Sequence, residues 1–165
     1  MDTIKFTEKV QEQFRKAGWK ENRNVQKKYE DAEILRFEDY PDFLKKFLYE
    51  YGDLIVLDAK SYKSEVVNKL KIGVEYAGYE DEEDYNDDID IIGKMLFPFA
   101  FYDPDCYMVA CDSDGKVYML GDYIFRISDN FKEGIEILVT DDTSKDYYQL
   151  DEDTGEWIKN KRWDE

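Results

Sequence analysis

The spacing of apolar residues changes at Gly52, and no other feature of this chain limits its fold as strongly. Before Gly52 the apolar residues recur every three or four positions. Phe6, Val10, Phe14 and Ala17 predict a helix over residues 4–17, closed by Gly18, with Trp19 following as a core anchor. Val25, Tyr29, Ala32 and Leu35 predict a second helix over 24–36. Phe43, Leu44, Phe47, Leu48 and Tyr51 predict a third, entered after Pro41 and stopped by Gly52. Beyond Gly52 the run Leu54-Ile55-Val56-Leu57 is too short for a helix and long enough for a strand. Leu70, Ile72, Val74 and Tyr76 then alternate, as strand residues do.

The clearest strand signal lies further on. Residues 107–111 and 116–120 are apolar runs that flank Asp112-Ser113-Asp114-Gly115. Asp-Gly between such runs marks a β-hairpin, because both residues tolerate positive φ. Leu96 to Ala100 and Tyr123 to Ile127 read as neighbouring strands. Ser128 or Asp129 is placed to cap a helix carrying Phe131, Ile135 and Leu138, which Gly134 weakens. Residues 145–165 read as a further hairpin turning at Asp153-Thr154-Gly155. Helices first and antiparallel strands later give an α+β class: a mostly antiparallel β-sheet with packed α-helices in one domain over 1–144, and a C-terminal extension over 145–165 packed on it.

Charge narrows the function. Forty acidic residues face 23 basic ones, a net charge of −17. Phosphate backbones and anionic membranes are repelled, so no nucleic acid and no membrane is expected as a partner. A basic protein is favoured, and the field speeds its capture. Fourteen Tyr, ten Phe and three Trp supply enough ring surface for a core and for an interface. The densest charge is at residues 80–90, where eight of eleven positions are acidic. That stretch is a loop or the first turns of a helix entering Ile91-Ile92, where carboxylates suit the N-terminus. Glu80, Asp81, Glu82, Glu83, Asp84, Asp87 and Asp88 are the expected electrostatic contacts to a partner, with Tyr79 and Tyr85 as aromatic anchors.

Catalytic chemistry finds little support. The chain has no histidine, which removes the commonest general base and most zinc sites. No Gly-rich phosphate loop occurs. Cys106 and Cys111 are five apart in a stretch that reads as extended, so they point to opposite faces and read as two buried free thiols. Asp103/Asp105 and Asp112/Asp114 are possible acid–base pairs, though pairs arise by chance among 40 carboxylates. Read as a calcium loop, Gly115 puts Ala110 and Gly121 at positions one and twelve, where neither offers a side-chain oxygen. No enzyme activity, metal or cofactor is expected. No segment is apolar enough to span a membrane, and residues 1–6 lack a signal-peptide pattern, so a cytoplasmic location is expected.

Several segments in order resemble the SUKH superfamily, within it the third subgroup of bacterial immunity proteins. They are Ala17-Gly18-Trp19 with Arg23-Asn24-Val25; Phe47 to Leu54, with Tyr51 where the subgroup has Phe; Leu96-Phe97-Pro98-Phe99-Ala100, with Ala100 in place of Gly; Asp112 to Tyr118; and the helix after Ser128-Asp129. The resemblance covers about residues 6–140 and implies the same α+β fold. It also implies a non-catalytic antidote that binds a cognate toxin, often a nuclease or deaminase. A scaffold or regulatory adaptor of the same fold, with a housekeeping protein partner, remains the alternative.

Overall fold

The computed structural model describes residues 4–59, 67–79, 81–142 and 144–160. Helix α1 (Glu8–Lys16) turns Val10, Gln13 and Phe14 inward. It stops where Gly18 takes φ +114, a value that glycine reaches without strain. The Trp19 and Gly18 amides then bond back to the Phe14 and Arg15 carbonyls, the closing pattern of a Schellman turn. Helix α2 (Gln26–Asp31) is much shorter than the expected 24–36. Ala32 leaves it in an extended conformation, Arg36 adopts a left-handed one, and a single 3₁₀ turn (Phe37–Asp39) follows. Leu35, expected on the inner face, is exposed. Helix α3 (Asp42–Tyr51) buries Leu44, Phe47, Leu48 and Tyr51. A Cβ on Gly52 would come within 2.4 Å of the Leu48 carbonyl, so the helix can end there only on glycine.

The strands are β1 (Ile55–Leu57), β2 (Lys69–Ile72), β3 (Phe97–Asp103), β4 (Tyr107–Cys111), β5 (Val117–Leu120), β6 (Ile124–Ser128), β7 (Tyr148–Asp151) and β8 (Glu156–Lys159). They form one sheet in sequence order, each antiparallel to the next. The alternation over 70–76 becomes strand only as far as Ile72: Gly73 turns the chain, and Val74 and Tyr76 lie in that turn. Between β2 and β3 runs helix α4 (Glu82–Ile92), and between β6 and β7 helix α5 (Phe131–Thr140). The cap of α5 is Asn130, not Ser128 or Asp129: its side chain accepts from the Glu133 amide at 3.0 Å. Ser128 instead braces Asn130, with Oγ accepting from the Asn130 amide.

The main core lies between one face of the sheet and helices α1, α3 and α5. Its centre is aromatic: Phe47 packs against Tyr51, Phe99 and Phe131 at ring-centroid distances of 5.1 to 6.1 Å. A second, smaller core of Leu96, Ala110, Tyr118, Leu120, Ile124 and Leu150 fills the other face. The sheet curls over it, so that Trp157 of β8 reaches within 5.9 Å of Tyr118 of β5, three strands away. Curling of this kind follows from the right-handed twist of strands. The hairpin β7–β8 therefore continues the sheet.

One sequence expectation changes here. Cys106 is exposed in the turn between β3 and β4, with φ 61, and only Cys111 is buried. The extended reading of that stretch failed because the turn interrupts it at Cys106. Asp112 is 1% exposed, and its carboxylate accepts from the Asp114 amide, the Lys116 amide and the Tyr118 hydroxyl at 2.8 to 3.0 Å. It organises the hairpin turn. Asp114 and the buried Asp112 share Lys94, at 3.1 and 3.7 Å, and Asp103 pairs with Lys71 at 2.7 Å, so ion pairing occupies the carboxylates of both candidate pairs at Asp103, Asp112 and Asp114.

Candidate functional site

The acidic run is a helix from Glu82 onward, and the reason is local. Asp81 takes an extended backbone and its carboxylate accepts from the Asp84 amide at 2.9 Å, a side-chain N-cap. Glu82, Glu83 and Asp84 follow in the first turn, where the helix dipole favours negative charge. Gly93, with φ +83, closes the C-terminus.

The inner face of α4 is pinned to the domain. Tyr85 is 3% exposed and meets Tyr79 edge-on at 5.1 Å. The Tyr79 hydroxyl donates to Asp88 at 2.7 Å. Burial first, and the Asp88 carboxylate second, hold that hydroxyl protonated far above the ordinary tyrosine range. Ile92 packs on the second core. The Arg36 guanidinium lies 5.1 Å from the centre of the Tyr85 ring and 3.7 Å from Glu82.

The outer face carries Glu83, Asp84, Asp87 and Asp90, all exposed. Their spacing puts them on one stripe. Among the described residues none of these four has a cation within ion-pair distance. Ile91 continues the stripe and Met95 follows beyond Gly93, both with exposed apolar surface, 43% and 41% accessible. The nine expected contact residues are thus divided by the fold. Glu82, Glu83, Asp84 and Asp87 face outward; Asp81 caps the helix and Asp88 ties down Tyr79. Tyr85 is turned into its own domain, because a ring there is needed to seat the helix, so it does not stand out as an anchor for a partner. Tyr79 is half-buried, and Glu80 lies outside the described residues.

Sequence reasoning missed Asp90 and Ile91, whose helical register is the only clue to their exposure, and Met95, which follows the helix. It also missed a cavity of about 240 Å³ beside α4. Its walls come from three stretches of the chain, residues 32–40, 74–85 and 96–98, and include Ile34, Tyr40, Ala77, Tyr85, Leu96 and Pro98. Glu33, Arg36 and Glu75 also line it. The Tyr85 hydroxyl and the Arg36 Nε lie behind its walls without accessible surface, and neither has a hydrogen-bond partner among the described residues. Among the described residues no three ligating side chains converge as a metal ion would require, and no helix is long and apolar enough to cross a membrane.

Compared with known proteins, residues 6–141 match the sequence profile of the family described as SUKH-3 immunity protein. No curated protein and no solved structure gives a significant match.

Proposed function

The chain belongs to the SUKH-3 immunity protein family, and from that premise we propose that it neutralises a cognate toxin by presenting the outer stripe of α4 to a basic surface of that toxin. The toxin is a nuclease or deaminase, met in the cytoplasm, whose nucleic-acid groove is lined with Lys and Arg. The acidic stripe occupies such a groove in place of phosphates. The antidote acts by binding and performs no chemistry.

The observation that carries this reading is the stripe Glu83, Asp84, Asp87 and Asp90, unpaired among the described residues. Like charges three and four residues apart destabilise a helix by about 0.2–0.5 kcal/mol per pair. The first turn is compensated by the helix dipole, but Asp87 and Asp90 lie beyond its reach. A cationic partner relieves the repulsion that the free domain retains. These side chains are exposed, so they act mainly on the rate of encounter and little on the lifetime of the complex.

The test begins with the tagged protein in its own bacterium and identification of what co-purifies at low and moderate salt. A basic toxin domain released by salt supports the reading; a housekeeping complex instead favours the adaptor. With the partner in hand, replacing Glu83, Asp84, Asp87 and Asp90 by Lys is expected to slow association about tenfold or more at low salt. An unchanged association rate removes the stripe from the mechanism.

A further inference from the structure

We propose that two copies of this chain meet through the face of β1–β3 that is turned away from α1, α3 and α5, sheet against sheet across a two-fold axis. Side chains alternate along a strand, and cross-strand partners point to the same side. Val56, Leu70 and Tyr102 are buried in the main core, so the residues between them point the other way. Register sets these in two rows. One runs Ile55, Lys71, Phe101 and Met108 from β1 to β4; the next runs Leu57, Lys69 and Asp103. Met108 joins the second core, which fills this side of the sheet from β4 onward. Toward the β1 edge the face is open: Ile55 and Leu57 are 42% and 46% exposed, and Phe101 is half-buried.

Charge selects the occupant. The chain carries −17, yet this face holds two lysines and one carboxylate, Asp103, which Lys71 takes at 2.7 Å. Lys69 is exposed and has no ion pair among the described residues. A basic toxin surface is not drawn to such a face. Two copies of the chain repel where their acidic surfaces meet, and here they can bring apolar surface together without that repulsion.

The order of residues across the face also complements its own reverse. A two-fold axis along the strands, between β2 and β3, lays β1 over β4 of the second copy and β2 over its β3. Ile55 then meets Met108 of the second copy, Lys71 meets its Phe101 ring, and the free Lys69 meets its Asp103. Packed sheets keep their strands within about 30° of each other, as this arrangement requires. Four strands about 4.8 Å apart make a narrow face. It falls short of the roughly 800 Å² per partner of a stable complex, so the dimer is a weak one, with a dissociation constant of about 0.1 mM.

Sedimentation equilibrium of the full chain, from about 10 µM to about 1 mM, tests this. It needs no toxin, so its outcome stands apart from that of the α4 stripe. The expected result is a monomer–dimer equilibrium that tightens at least about threefold between about 0.05 and 0.5 M salt, because salt screens the repulsion between two like-charged chains. Ile55→Lys is expected to weaken the dimer about tenfold or more. Ile91→Lys makes the same charge change at an apolar residue that is 43% exposed, and is expected to leave the dimer within about twofold. Lys69→Glu is expected to weaken it about tenfold, and Lys20→Glu, the same change at another exposed lysine, hardly at all. All four positions are exposed, so the variants should melt with the parent. A monomer throughout the concentration range overturns the proposal, as does equal weakening by Ile55→Lys and Ile91→Lys. An association that salt weakens assigns the contact to oppositely charged surfaces and overturns it too. Species that grow beyond the dimer require a head-to-tail contact and overturn the two-fold arrangement.

Discussion

Replacing Asp112 with Ala is expected to destabilise the domain by about 4 kcal/mol. Its carboxylate is 1% exposed and accepts three hydrogen bonds, from the Asp114 amide at 2.9 Å, the Lys116 amide at 3.0 Å and the Tyr118 hydroxyl at 2.8 Å. Hydrogen bonds to a charged acceptor contribute about 1.5–3 kcal/mol each. The two amides lie in a surface turn and regain water, which puts them near the bottom of that range or below it. Tyr118 is 2% exposed, so its hydroxyl stays dry and loses close to the full amount. With a urea slope of about 2 kcal/mol per M, the midpoint falls by about 2 M at unchanged slope. Tyr118→Phe alone removes one of the three bonds. The double variant should be far less destabilised than the sum of the singles, with a coupling of about 1–2 kcal/mol. Asp114→Ala is the control and should change little, since Asp114 makes only an exposed pair with Lys94. A loss below about 1 kcal/mol for Asp112→Ala, or additive effects with Tyr118→Phe, refutes the assignment of Asp112 as the centre of the turn.

Gly134→Ala should destabilise by about 1–3 kcal/mol although Ala is the better helix former, because a Cβ there would lie 2.6 Å from Cγ2 of Val117; chemical denaturation checks it, and a stabilised variant contradicts the close approach of α5 to β5. Burial, the largest cause in each case, raises the hydroxyls of Tyr29, Tyr40, Tyr51, Tyr102 and Tyr118 well above the tyrosine value of the unfolded chain. Their folded forms hold the proton more tightly, so this stability is complete below about pH 10 and is lost above it, at about 1.4 kcal/mol per pH unit for each ring. Circular dichroism and phenolate absorbance should therefore change together in one alkaline transition; gradual ionisation of these five in a folded chain would contradict their burial. One thiol, Cys106, should react with a disulfide reagent in the native protein, and Cys111 only on unfolding, since complete burial pushes its thiol well above the usual range; two fast thiols would show the core of β4 to be open.

The period of the apolar residues determined the element types and most of their order. Val10 and Phe14 had to form a helix, though it begins at Glu8 and leaves Phe6 ahead of it, and the runs around Asp112-Ser113-Asp114-Gly115 had to form a hairpin, because each signal is carried by residues close in sequence. The acidic run was equally plain as a concentration of charge. What sequence alone left open depends on contacts between distant segments. Helix α2 stops at Asp31 and residues 32–36 become a cavity wall, against a spacing that favoured helix to 36. Gly134 reads as a weak point within a helix and is instead the place where α5 touches Val117. Tyr85 lies among seven expected charged contacts and turns inward, because Tyr79 and Arg36, from other segments, make a bed for its ring. A side chain's chemistry is local, and it told where charge and rings are dense. Which face of α4 meets solvent, and which ring fills a core, was decided by what the rest of the chain packs against it.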